Sequence, residues 1–129
     1  DAFRDSVEYP FMTGGQGVAH PGNIIDYTVQ ITERNDPITA GIADFAMHSE
    51  QYYMHVDPAV HVLATTRFPV ADGPHLRNGV VDMPVVWTKW YGNGRVSYNG
   101  LGHDTTVVSQ PEVLRLLERG CLWAAGVGH

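Results

Sequence analysis

"DMPVVWTKWYGNGRVSYNGLGHDTT", residues 82–106, decides how the rest of the chain is read. Pro84 to Trp90 and Arg95 to Asn99 are two apolar-rich runs joined by Tyr91-Gly92-Asn93-Gly94. Gly and Asn tolerate the positive φ that a tight hairpin turn requires. The second run then passes into Gly100-Leu101-Gly102 and ends on His103-Asp104. Glycines on both sides of Leu101 let the backbone bend sharply after a strand. In α/β sheets ligands bind in the crevice beyond the carboxyl ends of the strands. A histidine delivered there is placed for proton transfer or metal ligation. The competing role is structural, with the imidazole capping or hydrogen-bonding the helical segment that follows.

Downstream, Ser109-Gln110-Pro111-Glu112 matches a Ser-x-x-Glu capping box. It predicts a helix running to about Ala125, with Val113, Leu116, Leu117, Cys121 and Ala124 on one stripe and Gly126 just past its end. Gly120 inside this helix costs about 1 kcal/mol relative to Ala, which a close approach to a sheet would explain. Upstream, Asp26 to Thr32 alternates as a half-buried strand, with Tyr27, Val29 and Ile31 on one side. Met47 to Met54 reads as a short extended segment, and Val60 to Thr65 as another strand after Pro58. Arg67 to Val81 reads as a loop with room for a small hairpin, since it holds Pro69, Asp72-Gly73-Pro74 and Asn78-Gly79. At the start, Asp1 is a candidate cap for a short helix striped by Phe3, Val7 and Phe11 and closed by Gly14-Gly15-Gln16-Gly17.

This inventory holds about five strands and only two helices. A doubly covered α/β sheet needs helices on both faces. Either the sheet is antiparallel and one-sided, or part of the domain lies outside this chain, and we favour the second. The chain opens on Asp1 without a Met or a signal-like apolar segment, which also suggests a partial or processed product.

The totals exclude several function classes. The chain has 129 residues, enough for one domain, with 43% hydrophobic and 17% charged residues, a globular composition. A net charge of −6 and scattered basic residues argue against nucleic acid as a partner. No apolar run approaches the roughly 20 residues of a membrane helix. Cys121 is the only cysteine, so no internal disulfide forms, which fits a reducing compartment and a cytoplasmic location.

Besides His103-Asp104, two stretches carry candidate chemistry. His20-Pro21-Gly22 fixes a loop that could present an imidazole. In His48-Ser49-Glu50-Gln51-Tyr52-Tyr53-Met54-His55, an extended backbone sends Glu50, Tyr52 and Met54 one way and Gln51, Tyr53 and His55 the other. A carboxylate and two phenols there suit sugar binding, although a solvated edge would look similar. Trp87, Trp90 and Tyr91 are better explained by core packing and hairpin stabilisation. His20, His55 and His103 could converge on a divalent metal, but no HExxH or CxxC spacing supports this, and no cofactor is expected. There is no phosphate loop and no Gly-x-Ser-x-Gly elbow.

Taken together, "GGQGVAHPGNIIDYTV", "DPITAGIADFAMHSEQYYMHVDP", "VLATT", "MPVVWTKWYGNGRVSYNGLGH" and "LRLLERGCLWAAG" resemble, in order and spacing, the ThuA-like (trehalose-utilisation) family. The resemblance implies an α/β, flavodoxin-like, class I glutamine amidotransferase-like three-layer sandwich. It also implies that residues 1–129 are the C-terminal part of a single domain about twice this length, whose N-terminal half is the chain's partner. His20 falls in the family's His-Pro loop, Glu50 with Tyr52-Tyr53 in its acidic-aromatic segment, and His103 in its Leu-Gly-His motif. In amidotransferases a histidine after the last core strand serves a nucleophilic cysteine, with a Glu following. Here Thr105 stands two residues on and Asp104 is adjacent, so glutaminase chemistry is not expected.

The expectation is a protein acting on trehalose or a related disaccharide or keto-sugar. His103 is its general acid/base and Glu50 a second proton-transfer or hydroxyl-orienting group. Tyr52, Tyr53 and Asp104 contact the sugar, and His20 orients it or binds a metal. The alternative is a non-catalytic sugar-binding or regulatory module on the same fold. A homo-oligomer is left open.

Overall fold

The computed structural model describes residues 5–127. Its elements are α1 (Glu8–Thr13), β1 (Gly15–Ala19), β2 (Ile24–Ile31), β3 (Phe45–Glu50), β4 (Tyr53–Val56), β5 (His61–Phe68), β6 (Val81–Tyr91), β7 (Gly94–Asn99), α2 (Thr105–Val108) and α3 (Pro111–Ala124), with one 3-10 turn at Leu76–Asn78.

The hairpin of residues 82–106 forms as β6 and β7, paired antiparallel from Val86↔Asn99 to Tyr91↔Gly94. It belongs to a five-stranded sheet of order β3-β2-β5-β6-β7, while β1 and β4 form a separate two-stranded ribbon. Every strand pair is antiparallel. The described residues therefore form a mixed α/β fold dominated by antiparallel sheets. The sheet is antiparallel but not one-sided.

The sheet is covered on both faces. Tyr27, Val29, Phe45, Met47, Leu63 and Val86 pack with Val107, Val113 and Leu116 of α2 and α3. The alternation predicted for Asp26 to Thr32 supplies the β2 members of this core. On the other face Phe68, Met83 and Trp87 pack with Met54, Tyr53 and Val56 of the ribbon. Thus the second layer, for which the sequence offered no helix, is a β-ribbon.

Trp87 is fully buried, stacks on Tyr98 at 4.1 Å and 2°, and donates its Nε1–H to the Thr13 carbonyl at 2.9 Å. Its ring lies so close to the end of α1 that a Cβ at Gly14 would stand 2.5 Å from Nε1. Gly14 also has φ +98°, which closes α1 as a left-handed cap. Pro84 sits in the interior strand β6, where a missing N–H normally breaks a ladder. A register break resolves this: Thr65 faces Pro84 while Ala64 already faces Val86, so Val85 bulges out.

Several expectations are corrected. The stripe of the first helix is not a buried face: Val7 is 83% and Phe11 60% exposed, because α1 has only six residues and meets the sheet through its C-terminal end. Asp1 and Phe3 lie outside the described residues. Met47 to Met54 is not one segment but β3 and β4, broken at Gln51-Tyr52. The capping box does not form. Ser109 instead ends α2, its hydroxyl donating to the Thr105 carbonyl at 2.6 Å, and α3 starts from Gln110 with Pro111 in its first turn. Gly120 behaves as expected, since a Cβ there would collide with the Ser97 hydroxyl on β7. No helix among the described residues is long and apolar enough to cross a membrane.

Candidate functional site

Glu50 is the last residue of β3, and Gln51 sets its direction. Gln51 is 1% exposed and donates from Nε2 to Thr66 Oγ1 at 3.2 Å and to the Arg67 carbonyl at 3.0 Å. With Gln51 anchored inward, its neighbours Glu50 and Tyr52 meet, and the Tyr52 hydroxyl donates to Glu50 Oε1 at 2.7 Å. The Tyr27 hydroxyl holds the Glu50 carbonyl at 2.8 Å.

Two histidines from distant segments complete the cluster. His103 Nδ1 stands 3.0 Å from Glu50 Oε1, and His20 Nδ1 stands 3.6 Å from Oε2. His20 follows β1 at a tight turn in which the Asn23 N–H bonds the His20 carbonyl at 3.1 Å. It also meets the Tyr52 ring edge to face at 6.4 Å. His103 is carried by the Gly-Leu-Gly bend. Gly100 donates to the Val85 carbonyl at 2.8 Å, and Leu101 is 2% exposed in the core. Asp104 caps α2, its Oδ1 accepting the Val107 N–H at 3.0 Å. The helix cap weighed for the imidazole is supplied by Asp104 instead, and His103 reaches a carboxylate.

Glu50's side chain is 16% exposed, while those of His20 and His103 are 38% and 36% exposed. Beside the cluster opens a cleft of about 220 Å³, lined by Gly17, Ala19, His20, Tyr52, Met54, Tyr98, Asn99, Gly100 and Gly102. His20 and Tyr52 belong to its wall, and His103 is the next residue after the lining Gly102. The Tyr52 phenol is pushed above the usual phenol range, first by burial, then by its hydrogen bond to Glu50 and that group's charge. It is therefore held as a donor. The Tyr98 phenol is raised to about 12, chiefly by burial, with Tyr9 adding to it.

Other expected members lie elsewhere. Tyr53 points to the opposite side of the chain from Tyr52, as strand alternation dictates. It packs on Phe68 at 5.3 Å and His75 at 6.1 Å. His55, paired with Gln16 across the ribbon, lines a separate depression with Gly15, Gln16 and Pro58. The convergence of His20, His55 and His103 is therefore not observed. Among the described residues, no group of three or more His, Cys, Asp or Glu has the arrangement to hold a metal ion. Asn99, Tyr98 and Gln51 went unnoticed in the sequence. The Asn99 amide accepts the Leu101 N–H at 2.8 Å and so shapes the bend that carries His103.

The chain has counterparts among known proteins. A family model for ThuA, described as trehalose utilisation, matches residues 1–124. The chain belongs to the ThuA family. It is similar to a ThuA-like protein from Parabacteroides merdae ATCC 43184 at 25% identity and a TM-score of 0.67, covering 89% of this chain and 42% of that one. A ThuA-like protein from Bacteroides uniformis ATCC 8492 is similar in fold, at 20% identity and a TM-score of 0.64, covering 88% of this chain and 49% of that one. This chain thus spans less than half the length of each of these solved structures. No curated protein matches it.

Proposed function

We propose that this chain supplies the acid/base side of a carbohydrate-processing site acting on trehalose or a related disaccharide or keto-sugar. One observation carries the reading: a single, largely buried carboxylate, Glu50, faces His103, His20 and the Tyr52 hydroxyl, drawn from three separate stretches of chain. A carboxylate only accepts hydrogen bonds, so Glu50 favours the tautomer of His103 with its hydrogen on Nδ1. Nε2 then keeps its lone pair, free to take a proton from a sugar hydroxyl or from carbon beside a keto group. Glu50 offsets the charge that forms on the ring. Tyr52, held as a donor, and His20, in the cleft wall, orient hydroxyls, and Asp104 positions His103 by capping α2.

We infer in addition that residues 1–129 form the C-terminal part of a flavodoxin-like, amidotransferase-like domain, with further site groups contributed by the rest of that domain. The share of the solved ThuA-like structures that the chain covers supports this.

The test is turnover of trehalose and of its keto derivatives by the protein and by His103→Gln. A positioned acid/base contributes roughly 10²- to 10⁴-fold, so kcat falls by that order while the melting temperature holds. Sugar affinity with no turnover in either protein would favour the binding-module reading, and unchanged kcat would remove His103 from the chemistry.

A further inference from the structure

Glu50 is largely buried, and a carboxylate in that position is costly unless positive charge and hydrogen bonds offset it. Among the described residues no Lys or Arg pairs with it. The groups beside it that can carry positive charge are His103, 3.0 Å from Oε1, and His20, 3.6 Å from Oε2. His20 Nδ1 is itself buried without a hydrogen-bond partner, so the carboxylate is the charge it faces. One imidazolium neutralises one carboxylate. The cluster is therefore balanced when one ring is protonated and the other neutral. That state sets a proton donor and a proton acceptor at the two oxygens of a single group.

This composition fits some sugar reactions and not others. Hydrolysis of a glycosidic bond ordinarily uses two carboxylates, one donating a proton and the other attacking or activating water. Here Glu50 Oε1 already faces the Tyr52 hydroxyl and His103. Asp104, beside His103 in the chain, is occupied by the cap of α2. A pair of imidazoles suits instead the movement of protons between carbon and a carbonyl oxygen.

We propose that His103 and His20 form a base–acid pair that enolises a keto-sugar, so that the group acted on is a sugar ketone rather than a glycosidic bond. This rests on the carbohydrate reading above and narrows it, and it gives His20 a role beyond orienting hydroxyls. His103 Nε2 takes the proton from the carbon beside the ketone, and the C–H electrons become the C=C bond. The carbonyl π electrons take the proton from His20 Nε2 and form the enol O–H. Return of the protons restores a ketone whose neighbouring carbon now carries a solvent proton. Each proton taken is matched by one delivered, so no oxidant or reductant enters. Glu50 keeps its charge throughout and offsets whichever ring is protonated.

The experiment is proton NMR in D₂O on trehalose with one hydroxyl oxidised to a ketone, and on trehalose itself, with the protein, His103→Gln and His20→Gln. The protons flanking the ketone should exchange faster with the protein than without it, and trehalose itself should release no glucose. Each variant should slow the exchange by roughly 10²- to 10⁴-fold. His20→Asn repeats the test should Gln disturb the turn at that position. Exchange that survives both His20 variants overturns the pair. Glucose released from trehalose without exchange in the ketone overturns enolisation and leaves the carbohydrate reading standing. Neither exchange nor cleavage overturns both.

Discussion

Folding raises the phenol pKa of Tyr27, Tyr52 and Tyr98, and all three lie on or beside the cleft. Burial raises each phenol, and Glu50 adds to the effect on Tyr27 and Tyr52. Because the folded value lies above the ordinary phenol value of 10.0, the folded state holds these protons more tightly than the unfolded chain. Stability from this source is complete below pH 10.0 and is lost as the pH rises toward and past the Tyr98 value of about 12. An alkaline titration followed by tyrosinate absorbance should therefore show these three phenols ionising late and together with unfolding. Ionisation of all six tyrosines in one step near 10.0 would contradict this. At this scale the site was partly legible. His20 and His103 stood out as imidazoles in Pro- and Gly-bearing bends, Glu50 and Tyr52 as members of a dense run of polar and aromatic side chains. Tyr53 looked equivalent to Tyr52 only until the alternation of the chain separated them. Asn99 and Gln51 gave no signal, since their work is done by hydrogen bonds to backbone carbonyls, amides and a threonine far off in sequence.

Among the elements, α3 and β7 approach closely at Gly120 against Ser97. An Ala at an exposed helix position normally gains up to about 1 kcal/mol over Gly. Here the added methyl has no room, so Gly120→Ala should destabilise the protein by about 1–3 kcal/mol in urea unfolding. Ser97→Ala combined with it should recover most of that loss, because the obstructing atom is the hydroxyl. A stabilising Gly120→Ala would mean that α3 does not sit on β7 in this way. Long periodic elements were readable: β2, the β6–β7 hairpin and α3 follow from alternation, from the Gly-Asn-Gly turn and from a helical stripe, although that stripe is buried at Val113 and Leu116 and exposed at Cys121 and Ala124. β1 was not, since Gly15-Gln16-Gly17-Val18-Ala19 lacks alternating apolar bulk, and its strand state comes from pairing with β4. The capping box misled because Ser109 finds a nearer partner in the Thr105 carbonyl one turn back.

For the whole molecule, the informative fact is that three stretches meet at one carboxylate: the β1–β2 turn, the end of β3 with the corner that follows it, and the bend after β7. Nothing local in the sequence requires that meeting. It depends on the antiparallel order β3-β2-β5-β6-β7 and on a ribbon folded over the sheet. If Glu50 and His103 work as one unit, removing either should disable the other's contribution. The direct measurement is a double-mutant cycle in kcat/KM for the disaccharide, using Glu50→Gln, His103→Gln and the double variant. The double variant should be about as slow as the slower single variant. Losses that simply multiply would show that the two side chains act independently, and the Glu50-centred site would not stand.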